Sequence, residues 1–217
     1  VEAYGEMVRY GAAAGADLIL IETMSDTYEI KAAVLASKEN CDLPVCVTMT
    51  FDEDGKLLTG ATVEAAALMC EGLGVDAIGF NCGLGPVQVG KLFPQMLAAT
   101  SLPLIINPNA GLPRSENGRT VYDVGPEEFA GYMELLVKDG AWIIGGCCGT
   151  TPEHIMATYD RCKDLKPIPI VEKDITLVSS YSHAVEIGKV PVIIGERINP
   201  TGKKLFKEAL LLSLIHI

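Results

Sequence analysis

Short runs of consecutive apolar residues recur along the chain at residues 17–22, 45–50, 77–81, 102–107 and 142–146. They are continuous rather than alternating, the pattern of a parallel sheet buried on both faces. Helix-like stretches separate them, at 27–39, 62–72, 88–99, 127–138 and 152–163, and residues 2–15 read as a further helix. Within 27–39, Ile30, Val34 and Leu35 share one face. Ser25-Asp26, Thr62 and Thr151-Pro152 stand where helix starts need a side-chain acceptor or a proline. The strand period is about thirty residues, the size of one βα unit. Five such units fit before Lys166. A Pro-rich break follows at Pro167 and Pro169, then a polar segment, and a fresh apolar strand is expected at 192–195.

Regular βα repetition leaves two α/β architectures open, a doubly wound sheet and a (β/α)8 barrel. No G-x-G-x-x-G follows the first strand, which weakens a dinucleotide site. Either architecture places its chemistry at the C-terminal ends of the strands. The expected layout is one α/β domain over 1–165, a linker over 166–190, and the start of a second domain over 191–211. If the first domain is a barrel, five units are too few to complete it and three would precede residue 1. Residues 212–217 match a translation of a transposon end used in sequencing-library preparation. An adapter origin and a native apolar helix end both stay open for them, and they are set aside.

Composition narrows the function. Of 217 residues, 49% are hydrophobic, enough for a real core. Lys plus Arg number 17 against 28 Asp plus Glu, a net charge of −11, which disfavours binding to a phosphate backbone. No apolar run reaches the roughly 18 residues of a membrane span, and no signal peptide is visible. Seven cysteines are an odd count, far below the density of a disulfide scaffold. A reducing, cytoplasmic setting is expected, where grouped cysteines bind metal or react more often than they form bridges.

Three of the seven are grouped by position. Cys82 ends the strand 77–81 and precedes Gly83, whereas Cys147 and Cys148 end the strand 142–146 and precede Gly149. Neighbouring residues of a regular strand point to opposite faces, so a vicinal pair shares a metal only where the strand breaks. The adjacent glycines supply that freedom. Three thiolates suit zinc and leave its fourth tetrahedral position for substrate. Cys41, Cys46, Cys70 and Cys162 lack this placement and read as structural. His154 falls six residues after the pair but on a helix leading away from the strand ends, so it is left out of the site.

Ile78-Gly79-Phe80-Asn81-Cys82-Gly83 and Gly145-Gly146-Cys147-Cys148-Gly149 resemble the zinc motifs of the homocysteine S-methyltransferase family. Ile21-Glu22-Thr23-Met24 and residues 107–113 (NPNAGLP) look like further motifs of that family. The resemblance covers residues 1–165. It implies an incomplete (β/α)8 barrel of about strands four to eight, with Cys82, Cys147 and Cys148 binding zinc. Gly195-Glu196-Arg197-Ile198-Asn199-Pro200-Thr201-Gly202 resembles the opening strand of the pterin-binding barrel in the family's multidomain, cobalamin-dependent members. The implied reaction is methyl transfer to the zinc-bound thiolate of homocysteine, giving methionine. The implied donor is methylcobalamin on a further domain of the same chain, recharged from methyltetrahydrofolate.

On this reading Glu22 holds the ammonium of homocysteine, and the alternative is a carboxylate facing the next helix dipole. Asn109 contacts substrate or the fourth metal position, and the alternative is a turn asparagine. Glu196 and Asn199 are expected to bond the pterin. Two other functions remain: a cobalamin-independent homocysteine methyltransferase, and a structural or storage zinc–thiolate module. The second is disfavoured because structural zinc sites ordinarily have four protein ligands.

Overall fold

The computed structural model describes residues 1–195 and 203–211. The chain divides into two compact units, Val1–Glu186 and Ile187 onward. In chain order the first runs α1 (Glu2–Ala13), β1 (Ile19–Met24), α2 (Thr27–Asn40), β2 (Val45–Met49), α3 (Val63–Gly72), β3 (Ala77–Asn81), α4 (Pro86–Ala99) and β4 (Leu104–Asn107). It continues through β5 (Arg114–Glu116), β6 (Arg119–Val121), α5 (Pro126–Asp139), β7 (Ala141–Ile144), α6 (Pro152–Cys162), β8 (Thr176–Ser179) and β9 (Ala184–Ile187). The second unit holds α7 (Lys204–Leu211).

Five parallel strands form one sheet in the order β1-β2-β3-β4-β7. The register sets Met49 beside Phe80, Phe80 beside Ile106 and Ile106 beside Ile144. Every residue of β2 and β3 is buried, as the unbroken apolar runs require when helices cover the sheet. Phe80, Phe93, Phe129, Met49, Met96 and Met133 are the bulk of one continuous core. The helix starts read at Asp26, Thr62 and Pro152 are built so, whereas α4 and α5 start at Pro86 and Pro126, slightly earlier than read. Asp26 accepts from Glu29 N at 2.8 Å and Thr62 from Ala65 N at 3.2 Å, while Pro86, Pro126 and Pro152 open α4, α5 and α6. The outer strands β1 and β7 each have one neighbour, so the sheet does not close among the described residues. No helix among them is long and apolar enough to cross a membrane.

Three local features differ from the sequence reading. The strand expected at 192–195 is not formed: these residues are irregular, and Ile193 and Ile194 are exposed. A strand needs a neighbour for its N–H and C=O groups, and this segment pairs with no described strand. The hairpin β5–β6 was not expected. It is exposed and turns at Asn117-Gly118, both with positive φ (51° and 74°). Asn-Gly is the strongest sequence signal of a two-residue hairpin turn, and it was present to be read. The third feature is the stretch expected to link domains, where β8 and β9 pair with each other and residues 166–186 belong to the first unit.

Candidate metal centre

The carboxyl end of β3 delivers Cys82. Its amide donates to Asn107 O of β4 at 3.2 Å, and its φ is +57°, in the left-handed region. That conformation costs a non-glycine residue about 1–2 kcal/mol. It turns the thiol out of strand alternation. Gly83 continues the turn at φ +66°, where a Cβ would stand 2.8 Å from Thr50 Cγ2.

Cys147 and Cys148 follow β7 and are tied from both sides. Cys147 N donates to Pro108 O at 2.8 Å, and Cys147 O accepts from Thr150 N and Thr150 Oγ1 at 3.2 and 2.7 Å. Cys148 O accepts from Ala110 N at 2.9 Å, while Cys148 N donates to Asn109 Oδ1 at 3.0 Å. Asn109 is 2% exposed, and its carboxamide oxygen thus fixes the turn that aims the pair. Gly149 has φ +80° and lies under the ring of Tyr122. A Cβ there would come within 2.4 Å of Tyr122 Cγ.

The strand break brings the three thiols together, with their sulfurs all within 4.8 Å of one another and Cys82 Sγ 3.6 Å from Cys148 Sγ. Three thiolates on a tetrahedral metal, each about 2.3 Å from it, stand about 3.8 Å apart. The three thiols are thus close enough to ligate one soft metal ion together. Among the described residues no other group of three or more potential ligands converges in this way.

Thiol electrostatics divide the cluster. Burial, aided by the neighbouring thiols, pushes Cys147 up to about 12. Cys148 is lowered, first by the hydrogen bond from Cys82 and then, against its own desolvation, by bonds from Tyr122 and Cys147. The Tyr122 hydroxyl is raised by burial and by that same bond to Cys148. A metal must displace the proton that Cys147 holds, so its affinity is expected to rise with pH and to fall on acidification. The slope should be about tenfold per pH unit for each proton displaced. Competition with a chromophoric chelator at several pH values measures this, and a flat profile would contradict thiolate ligation.

The other cysteines stay apart. Cys41 caps α2 and its thiol donates to Ser37 O at 3.5 Å, while Cys46 lies in β2. Cys70 is buried in α3 and pushed up to about 12 by desolvation, and Cys162 ends α6. His154 also has an ordinary task. It is buried, pairs with Thr151 in a capping box, bonds Val124 O at 2.9 Å and meets the edge of Phe129.

Glu22 is exposed near the end of β1. The next residue, Thr23, has φ +61°, a strained position for a β-branched side chain. Asn81, 1% exposed, holds it there: Asn81 Oδ1 accepts from Thr23 N at 2.9 Å and Asn81 Nδ2 donates to Thr23 Oγ1 at 2.7 Å. One asparagine thus ties the corner after Glu22 to the residue preceding Cys82. Neither Asn81, which falls within a quoted motif, nor Tyr122 has a role that the sequence alone assigns. A buried, amide-bearing strand end was the available signal for the first. Glu196 and Asn199 lie outside the described residues.

Comparison with known proteins follows the same lines. The family described as homocysteine S-methyltransferase matches residues 1–162. A methionine synthase of Mycobacterium leprae is 36% identical over 224 residues, covering 97% of this chain and 18% of that protein. A methionine synthase of Mycobacterium tuberculosis is 34% identical over 218 residues, with the same coverage. Crystal structures of a homocysteine methyltransferase from Escherichia coli align at TM-score 0.60 (apo form, 27% identity) and 0.61 (metallated form, 26% identity). They cover 74% of this chain and 57% and 51% of theirs. The chain spans less than a fifth of the length of the methionine synthases it matches.

Proposed function

This chain belongs to the homocysteine S-methyltransferase family, and on that premise we propose that it is the homocysteine-activating part of a methionine synthase. Its five βα units correspond to about strands four to eight of a (β/α)8 barrel, with the start of a pterin-binding domain from residue 191. The observation that carries the reading is the convergence of Cys82, Cys147 and Cys148 at the carboxyl ends of parallel strands.

Zinc held there would take the homocysteine sulfur as a thiolate, nucleophilic at a pH where the free thiol is mostly protonated. The residues of the chain set the conditions for that. Three cysteine thiolates over-neutralise a divalent ion, giving a site charge of −1 before substrate arrives. Asn109 and Thr150 hold the Cys147-Cys148 turn, and Asn107 O holds Cys82, so the ligands are set in place before the metal binds. Glu22, exposed near the strand end, supplies the counter-charge for the substrate ammonium. The methyl donor in this reading is methylcobalamin, recharged from methyltetrahydrofolate by further domains of a longer chain.

The test uses the full-length protein. Adding homocysteine to its cobalt-substituted form should change the visible spectrum, as an open fourth position requires. An unchanged spectrum would favour a closed structural or storage site. Glu22→Gln is expected to weaken homocysteine binding about tenfold, the worth of one charge-assisted contact, with zinc content unaltered. Calorimetric titration of the zinc form gives the affinity, and equal affinity in the variant would return Glu22 to a helix-dipole role.

A further inference from the structure

The stretch beyond the family match bonds back onto the barrel wall at both ends. At the amino-terminal ends of the strands, Trp142 Nε1 donates to Ile168 O at 2.9 Å and Lys173 N donates to Ser101 Oγ at 2.8 Å. At the carboxyl ends, where the cysteines converge, Thr62 N donates to Ser182 O at 3.0 Å and Thr27 Oγ1 donates to Tyr181 O at 3.2 Å. The Tyr181 hydroxyl donates to Asp26, and its ring lies 4.8 Å from that of Tyr28. Residues 166–186 therefore form a strap running up the wall to the rim.

The rim contact lands on the corner between β1 and α2. Asp26 uses one carboxylate oxygen to cap α2 and the other to accept from Tyr181. Ser25 O accepts from Thr59 Oγ1 at 3.3 Å. From the other direction Asn81 holds Thr23 through two hydrogen bonds. The corner is thus gripped at both ends, and Glu22 immediately precedes it. Thr23, strained at positive φ, keeps its conformation only while its surroundings enforce it.

We propose that Tyr181 is a positioning residue for substrate binding. By latching Asp26, the strap fixes the β1–α2 corner and with it the Glu22 carboxylate. The proposal rests on the reading of Glu22 as the partner of the homocysteine ammonium. It gives the segment after the barrel a task other than passive linkage.

Three variants of the full-length, zinc-loaded protein test it: Tyr181→Phe, which removes only the hydroxyl, Tyr181→Ala, which also removes the ring contact, and Glu22→Gln. The measurements are homocysteine affinity, zinc content, and amide hydrogen exchange resolved by segment. Tyr181→Phe should weaken homocysteine binding roughly three- to tenfold, less than the full worth of a hydrogen bond to a charged group because the loss reaches the substrate only through the corner. It should speed exchange at residues 23–28 while leaving zinc content and exchange at 147–149 at wild-type values. Tyr181→Ala should do both more strongly. If Glu22→Gln weakens binding while both Tyr181 variants match wild type in affinity and corner exchange, the latch is overturned and the Glu22 reading stands. If exchange at 23–28 rises but neither Tyr181→Phe nor Glu22→Gln alters affinity, the Glu22 reading fails and takes the positioning role with it. Exchange raised equally across the barrel would show a general stability effect and also overturn the proposal.

Discussion

The double variant Cys147→Ser, Cys148→Ser is expected to take the metal content of the full-length protein from about one equivalent to near zero. A tetrahedral soft-metal site gains its affinity from thiolates, and a serine hydroxyl is not deprotonated at neutral pH to replace one. The variant removes two of the three proposed ligands, whose sulfurs lie within 4.8 Å of one another. The remaining thiol, Cys82, cannot hold the ion alone against solvent. Cys82→Ser should also lose most of the metal, because its positive φ and its bond to Asn107 O place the third sulfur. Cys41→Ser and Cys162→Ser should retain about one equivalent, since both lie at helix ends away from the cluster. Elemental analysis after dialysis against a weak chelator reads all four variants. Retention of zinc by the double variant would overturn the assignment of the site.

The parts of this site that were legible in the sequence were those that depend on one strand at a time. Continuous apolar runs gave the five parallel strands, and each of these strands overlaps its expected range. Glycines beside cysteines at strand ends pointed to the three thiols that the fold brings together. What was not legible depends on packing between distant segments. Asn81 reads as the last residue of a strand; that its amide bonds Thr23, 58 positions away, follows from the β1–β2–β3 order. Tyr122 follows a hairpin too short and too polar to leave a periodic pattern, yet its ring covers Gly149. The strap reads as a linker in the sequence because prolines and polar residues signal irregular backbone. They do not reveal whether that backbone finds partners, and here backbone groups of Ile168, Lys173, Tyr181 and Ser182 do. The apolar run at 192–195 shows the converse, a sequence with strand character that forms no strand because no neighbour completes its hydrogen bonds.

Gly79→Ala is expected to have the largest effect of any Gly→Ala change among the described residues. Gly79 sits in the middle of β3, paired with Thr48 on one side and Ile105 on the other. A Cβ at this position would stand 1.7 Å from Ile105 O, 2.6 Å from its carbonyl carbon and 2.8 Å from its Cα. All three are backbone atoms, so no side-chain rotamer change relieves the clash, and β3 and β4 must separate. Overpacking a well-ordered core commonly costs about 1–3 kcal/mol and occasionally more; a clash with the backbone of a central strand belongs at the upper end. With a urea m-value of about 1–3 kcal/mol per molar, the denaturation midpoint should fall by roughly 1 M or more. The damage also reaches the metal, because Cys82 lies three residues on and its amide bonds Asn107 O of the displaced strand. Zinc content and stability should therefore fall together. Gly90→Ala makes the contrast: Gly90 lies inside α4 with nothing within 4 Å of a new Cβ. That change should stabilise by about 0.4–1 kcal/mol through helix propensity and reduced freedom of the unfolded chain. Urea titration of both variants decides the matter. A wild-type midpoint for Gly79→Ala would mean that β3 and β4 do not approach as closely as their register implies.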